Sequence, residues 1–190
     1  MKKHKAIAIP VIYNGDVPRF LTVRDKRFKE WIFVTGGCRR REINNPLRTA
    51  LRELEEETRG VVSLKRGEYT TFSFTVKESP TVDLEYTVFI FFVNYSRHEQ
   101  SDLVKKFNEE KYKMHTKKIH MKRTYDENDY MSFDTLPEFN SRRRWERIIK
   151  YVLKNPEFYA CVTSPNRKSF AIKSVSYTHL RAHETEADLV

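Results

Sequence analysis

Apolar and polar residues alternate along much of this chain, and the elements change where the period changes. "KAIAIPVIY" and "RFLTVRD" are β-rich runs separated by "NGDVP", a turn sequence. "WIFVT" is a third short strand that runs into Gly36-Gly37. The period then switches. Leu47, Ala50, Leu51 and Leu54 recur at helical spacing and predict a helix from about Pro46 to Thr58. Asn45 suits its N-cap, Pro46 its first position and Gly60 its stop. "YTTFSFTVKE" and "YTVFIFFVNY" read as two longer strands, the second apolar enough to be central and covered on both faces. A polar, basic stretch follows, helical around Asp102 to Tyr112. After it come a short strand, "YMSFDTL", and a last helix, "NSRRRWERIIKYVLKN", with Trp145, Ile148, Ile149 and Val152 inward. Strands mixed with two or three helices, without internal repeats, predict one α/β sandwich.

The last sixteen residues, "VSYTHLRAHETEADLV", resemble translated sequencing adapter and carry no fold expectation. The domain is therefore expected over residues 1–174, with a basic insertion around 97–128. The whole chain has a net charge of +10; without that tail it is +12. Such a basic balance points to an acidic partner, most commonly nucleic acid. Cys38 and Cys161 make neither a disulfide framework nor a zinc spacing, and Cys38 has no evident base partner. No stretch reaches the roughly 20 apolar residues of a membrane span. The N-terminal apolar run is short, broken by Pro10 and without a small-residue cleavage site, so it reads as a first strand rather than a signal peptide. The expectation is a cytoplasmic protein, with no membrane and no protein partner inferable.

The predicted helix carries "RELEEET". Glu53, Glu56 and Glu57 share one face at i, i+3 and i+4, away from the leucine stripe. Like charges at these spacings repel, and the later turns of a helix disfavour negative charge. On an arbitrary helix such a run is a solvated face. A hard divalent cation reverses the penalty, since Mg²⁺ and Mn²⁺ prefer oxygen ligands. Arg52, one turn before Glu56, can pair with it or orient a neighbour.

With the Trp31-containing strand and the Gly36-Gly37 pair ahead of it, this segment resembles the Nudix hydrolase signature. That signature is Gly, five residues, Glu, seven residues, then Arg-Glu-apolar-x-Glu-Glu-x-Gly-apolar. Arg52, Glu53, Leu54, Glu56 and Glu57 match its second half residue by residue. Gly37 to Arg52 is fifteen steps, one more than the pattern, which leaves Glu42 to serve as the first glutamate across a one-residue insertion. Arg59 stands at the signature's glycine, with Gly60 behind it, and Thr35 stands where many members have proline. The resemblance implies an α/β/α sandwich with a mixed sheet and a pyrophosphohydrolase. In it Mg²⁺ or Mn²⁺ held by Glu53, Glu56 and Glu57 bridges a diphosphate and lowers the pKa of a bound water. A further glutamate from a distant loop is expected as base or extra ligand. Glu127 is the candidate, with Glu109 and Glu110 in reserve.

The substrate signal is weaker. Arg97 to Arg123 holds nine Lys/Arg against four Asp/Glu, interleaved with Tyr112, His115 and His120. Lys117, Lys118, Lys122, Arg123, Arg142, Arg143 and Arg147 are the candidate RNA contacts. Arg24, with Lys26 near it, is a candidate for substrate phosphates beside Gly36 and Gly37. Trp31 and Trp145 read as core more than as stacking rings. The arrangement is similar to the mRNA-decapping Nudix proteins of large DNA viruses, acting in the host cytoplasm. It implies capped RNA as partner and 7-methyl-GDP as product. Free dinucleoside polyphosphates, nucleotide sugars or inositol pyrophosphates are the alternative. A catalytically silent RNA-binding protein is a third reading, which the intact glutamates oppose.

Overall fold

The computed structural model of the chain describes residues 1–13, 17–64, 66–116, 123–163 and 173–176. Strands β1 (Lys2–Ile12), β2 (Arg19–Asp25), β3 (Trp31–Ile32) and β4 (Val34–Gly37) lead into helix α1 (Pro46–Glu57). Strands β5 (Arg66–Ser79) and β6 (Val82–Val93) follow, then α2 (Arg97–Thr116) and β7 (Asn128–Asp134). Helices α3 (Leu136–Asn140), α4 (Glu146–Leu153) and α5 (Pro156–Thr163) precede an edge strand, β8 (Lys173–Ser176).

The sheet runs β3-β2-β1-β6-β5-β8, with β4 also on β1 and β7 also on β2. It is mixed: β1 and β6 are parallel along their length, and the other pairs are antiparallel. β1 organises it. On one side it pairs with β4 over Lys5 to Ala8 and with β2 at Val11 and Ile12. Pro10 falls in the gap between these two partners, where that side of β1 has no neighbouring strand.

Strand alternation divides β1 between two cores. Ile7, Ile9 and Val11 face a cluster with Phe20, Phe33, Phe139, Phe158 and the inner side of α4. Ala6 and Ala8 face the other cluster, with Leu47, Ala50, Leu51 and Leu54 of α1 and Phe107 of α2. The small alanines on that side let α1 lie close to the sheet, and this places the C-terminal half of α1 beside Gly36 of β4. Helices on both faces of a mixed sheet are the α/β/α sandwich that the sequence predicts.

Several details differ from expectation. Asn45 makes no side-chain cap bond to α1; only its carbonyl accepts, from Arg48 N–H at 3.1 Å. The strand read as "YMSFDTL" stops at Asp134. Thr135 then caps α3, its hydroxyl accepting from Glu138 N–H, so the chain turns before Leu136. Arg142, Arg143 and Arg144 lie ahead of α4 rather than on it, and a further helix, α5, follows Pro156. Val175 and Ser176, the first tail residue and its neighbour, pair with Gly67 and Arg66 of β5. No helix among the described residues is long and apolar enough to cross a membrane.

Phe20, Phe33, Phe139 and Phe158 contact one another at ring-centroid distances of 5.0 to 5.9 Å. Phe139→Ala is expected to lower the unfolding free energy by about 3–5 kcal/mol in urea titrations. Phe28→Ala removes a ring that is 60% exposed and is expected to change it by less than about 0.5 kcal/mol.

Candidate active site

The leucine stripe fixes the rotation of α1, and so its opposite side carries the charges past β4 and the Arg40–Glu42 turn. These charges are not solvated. Glu42, Glu53, Glu56 and Glu57 are all buried. Arg52 is their hub. Its Nε and Nη2 each donate to the Glu42 carboxylate at 2.9 Å. Its Nη1 donates to Glu53 Oε1 at 2.8 Å and to Glu56 Oε2 at 3.1 Å, and Nη2 also reaches the Gly37 carbonyl at 3.1 Å. Glu42 thus takes the fork of Arg52 face on, and its other anchor is Arg39 N–H at 2.9 Å. The Arg39 guanidinium approaches Glu56 Oε1 at 3.3 Å.

Gly36 is required by this packing. A Cβ built on it would stand 1.9 Å from Glu53 Cδ. Gly37 has open space at the same test; its part is the carbonyl offered to Arg52.

The electrostatics follow from burial. Burial pushes the Glu53 carboxyl up to about 7; Glu56 adds to the rise and Arg52 opposes it. Burial raises Glu57 well above the ordinary carboxylate range, reinforced by Glu53 and Glu127, against hydrogen bonds from Asn128 and the Thr35 backbone. For Glu42 the bonds from Arg52 and Arg39 outweigh burial, and its pKa is lowered. Two of the carboxyls therefore resist ionising without further positive charge, while the one that grips Arg52 does not.

Glu127, in the loop before β7, lines a cavity of about 480 Å³. Glu57 and Asn128 line it too, Phe28, Ile32, Phe33 and Trp145 give it apolar surface, and Lys5, Asp25 and Glu30 add charge. Burial, then Glu56 and Asp25, raise the Glu127 carboxyl. The reserves lie elsewhere: Glu110 pairs with Lys113 at 3.1 Å, and Glu109 lines an open groove on α2. Asn128 donates to the Glu57 carbonyl at 3.2 Å and to its carboxylate at 3.4 Å, tying the Glu127 loop to α1.

The other candidates separate. Arg24 makes a bidentate pair with Asp129 at 2.9 and 2.8 Å under the Tyr130 ring and does not line the cavity. Arg142 is likewise committed, to the buried carboxylate of Asp134 at 2.7 and 2.8 Å, and lies 3.8 Å over Trp31. Both spend their charge within the fold, against the roles expected for them in binding phosphate and RNA. Arg123 and Arg143 are exposed, and Arg147 is exposed with one long bond to the Lys77 carbonyl. Lys117, Lys118 and Lys122 lie outside the described residues. Trp31 packs beside the core as expected, whereas Trp145 also walls the cavity. Sequence reasoning passed over Arg39, Asn128 and Phe28. Arg39 was hidden in a run of three arginines, and Asn128 was one residue from the glutamate singled out.

Among the described residues, no three His, Cys, Asp or Glu side chains already converge on one point as cation ligands. Glu53 and Glu56 share Arg52 Nη1 instead. The donor set still suits a hard divalent cation. It offers carboxylate oxygens only, they are buried, and burial raises the pKa of two of them, Glu53 and Glu57. Glu53, Glu56 and Glu57 are the residues that would hold it.

A family model described as NUDIX domain matches residues 2–136. No curated protein matches the chain. The fold is similar to the NUDIX domain of Shewanella oneidensis NrtR complexed with ADP ribose, at 11% identity and a TM-score of 0.50, over 79% of this chain and 84% of that one. It is also similar to a Nudix hydrolase from M. smegmatis, RenU, at 13% identity and a TM-score of 0.51, over 98% and 88%.

Two outcomes are expected. Glu53 binds its proton more tightly folded than unfolded, with a pKa of about 7 against an ordinary 4.5. Its contribution to stability is therefore full below about pH 4.5 and is lost as pH rises through about 7. Metal-free protein should melt at a lower temperature at pH 8 than at pH 5, and added Mg²⁺ should recover the difference at the higher pH. Gly36→Ala should displace Glu53 rather than backbone. It is expected to lower metal-dependent turnover by about 10–100-fold while the thermal midpoint stays within a few degrees.

Proposed function

This chain belongs to the Nudix family, and we propose that within it the protein removes caps from RNA and releases 7-methyl-GDP. The hydrolase class rests on the Nudix domain match and on one observation: Glu53, Glu56 and Glu57 are all present and buried on α1, with Glu53 and Glu56 bonded to Arg52. The chain is a Nudix pyrophosphohydrolase. Glu53, Glu56 and Glu57 would hold a divalent cation, which would supply positive charge to the diphosphate and acidify water. The protein's own residues do the rest. Arg52, fixed by Glu42, holds Glu53 and Glu56 in place. Water adds to one phosphorus while the bridging P–O bond breaks, and Glu127, with its raised pKa, is proposed to take the water's proton. The cavity beside Glu57 and Glu127 has room for one nucleoside against Phe28 and Trp145.

Capped RNA as substrate is supported by charge beyond what a small nucleotide needs. α2 carries Lys105 and Lys113 with exposed Tyr112 along an open groove, and Arg123, Arg143 and Arg147 add exposed guanidinium groups. Such a surface suits a phosphate backbone with occasional stacked bases. The rival substrates are free nucleoside diphosphate compounds. The Shewanella oneidensis domain, complexed with ADP ribose, favours that class.

The full chain with Mg²⁺, then Mn²⁺, is incubated with cap-labelled RNA, free cap dinucleotide, diadenosine polyphosphate and an inositol pyrophosphate. The expected result is metal-dependent release of 7-methyl-GDP from capped RNA. Hydrolysis of free compounds with capped RNA untouched would replace the cap reading by the rival one. Glu56→Gln is expected to lower turnover by at least about 100-fold and to leave RNA affinity within about threefold. Unchanged turnover would contradict the hydrolase site itself.

A further inference from the structure

We infer that Arg59 is a positioning residue for catalysis, holding the Glu127 loop against the end of α1. This rests on the reading of Glu127 as the base. Arg59 follows the metal-binding helix directly and has a left-handed backbone, φ 58°. That conformation suits glycine, which the Nudix signature carries at this place, and it strains an L side chain. The chain has kept the backbone of the glycine and added a guanidinium. Strain of this kind persists only where surrounding contacts over-determine it.

Those contacts converge on one loop. The Arg59 side chain is 1% exposed. Its Nη2 donates to the Asn128 carbonyl at 2.6 Å and Nε to the Tyr125 carbonyl at 3.3 Å, the two residues that bracket Asp126 and Glu127. Asp126 Oδ1 lies 3.5 Å from Nη2. On the far side, Nη1 donates to the Phe107 carbonyl of α2 at 3.1 Å, and the guanidinium lies 4.2 Å over the Phe107 ring. The Glu127 carbonyl is itself held by Lys26 N–H at 2.9 Å. The loop is therefore fastened by Arg59 at 125 and 128, by Lys26 at 126 and 127, and by the Asn128 amide on Glu57. Arg59, two residues beyond Glu57, is the one of these that joins the end of α1 to both sides of Glu127. This side chain spans the gap between helix end and loop alongside the Asn128 amide, and so sets where Glu127 stands relative to the glutamates of α1. A glycine at position 59 would turn the chain equally well and fasten nothing.

The test is a cycle of Arg59→Lys and Glu127→Gln, reading kcat and KM with Mg²⁺ on the cap dinucleotide, or on diadenosine polyphosphate if only that turns over. Lysine keeps the charge and loses the fork that spans two carbonyls. Arg59→Lys is expected to lower kcat by about 10–100-fold with KM within about threefold. In the Glu127→Gln background it should cost nothing further, because the group it positions is gone. Equal losses in both backgrounds, or wild-type kcat in Arg59→Lys, would overturn the inference. Wild-type kcat in Glu127→Gln would overturn the reading of Glu127 instead and leave the metal helix untouched. Arg59→Gly, which relieves the strained turn, guards against misfolding of the lysine variant. Its lost kcat should be partly restored by added guanidinium ion, and a folded variant without such rescue would overturn the inference.

Discussion

Everything at this site depends on the ion cluster around Arg52. Three buried carboxylates, Glu42, Glu53 and Glu56, meet two guanidinium groups, Arg52 and Arg39, and a fourth, Glu57, is buried beside them with Asn128 as its donor. The surplus of negative charge is the amount that one divalent cation neutralises. Taking charges out of water costs more than imperfect pairing returns, so such a cluster is poor evidence for stability. Without the cation, the strain shows as raised pKa values at Glu53 and Glu57. The fold tolerates the arrangement because the two apolar cores, not the charges, hold α1 on the sheet.

Glu42 and Glu57 mark the two sides of that balance. Glu42 has lost its freedom to Arg52 and remains ionised as a structural anchor. Glu57 lines the cavity, bonded to Asn128, with its pKa raised by burial. The same burial thus yields a fixed anchor where a guanidinium fork is present and a cation-seeking carboxyl where it is not. The positions of the two arginines decide which glutamate does which.

Much of this was legible in the sequence. The leucine stripe fixed the rotation of α1, and the spacing of Glu53, Glu56 and Glu57 followed from it. β2 was read correctly as "RFLTVRD", whose start is marked by the turn residues of "NGDVP". Other features depend on contacts distant in the chain. Glu42 looked misplaced by residue counting, yet the turn at Arg40–Glu42 brings its carboxylate onto Arg52. Arg142 looked like a free cation, and Asp134, hidden inside the fold, claims it. Arg59 looked like a defect in the motif, since only the folded chain brings residues 107, 125 and 128 to its guanidinium. Local pattern gives the helix face; it does not give the partners that come from other elements.

The central claim is that the buried glutamates form a cation site whose protons are displaced on binding. Mn²⁺ titration followed by electron paramagnetic resonance, with proton release recorded in weakly buffered solution near pH 7, tests it directly. Wild-type protein should bind Mn²⁺ and release protons from Glu53 and Glu57, and Glu53→Gln with Glu57→Gln should abolish both signals. Mn²⁺ binding of equal strength in that double variant, or no binding to wild-type protein, would contradict the account.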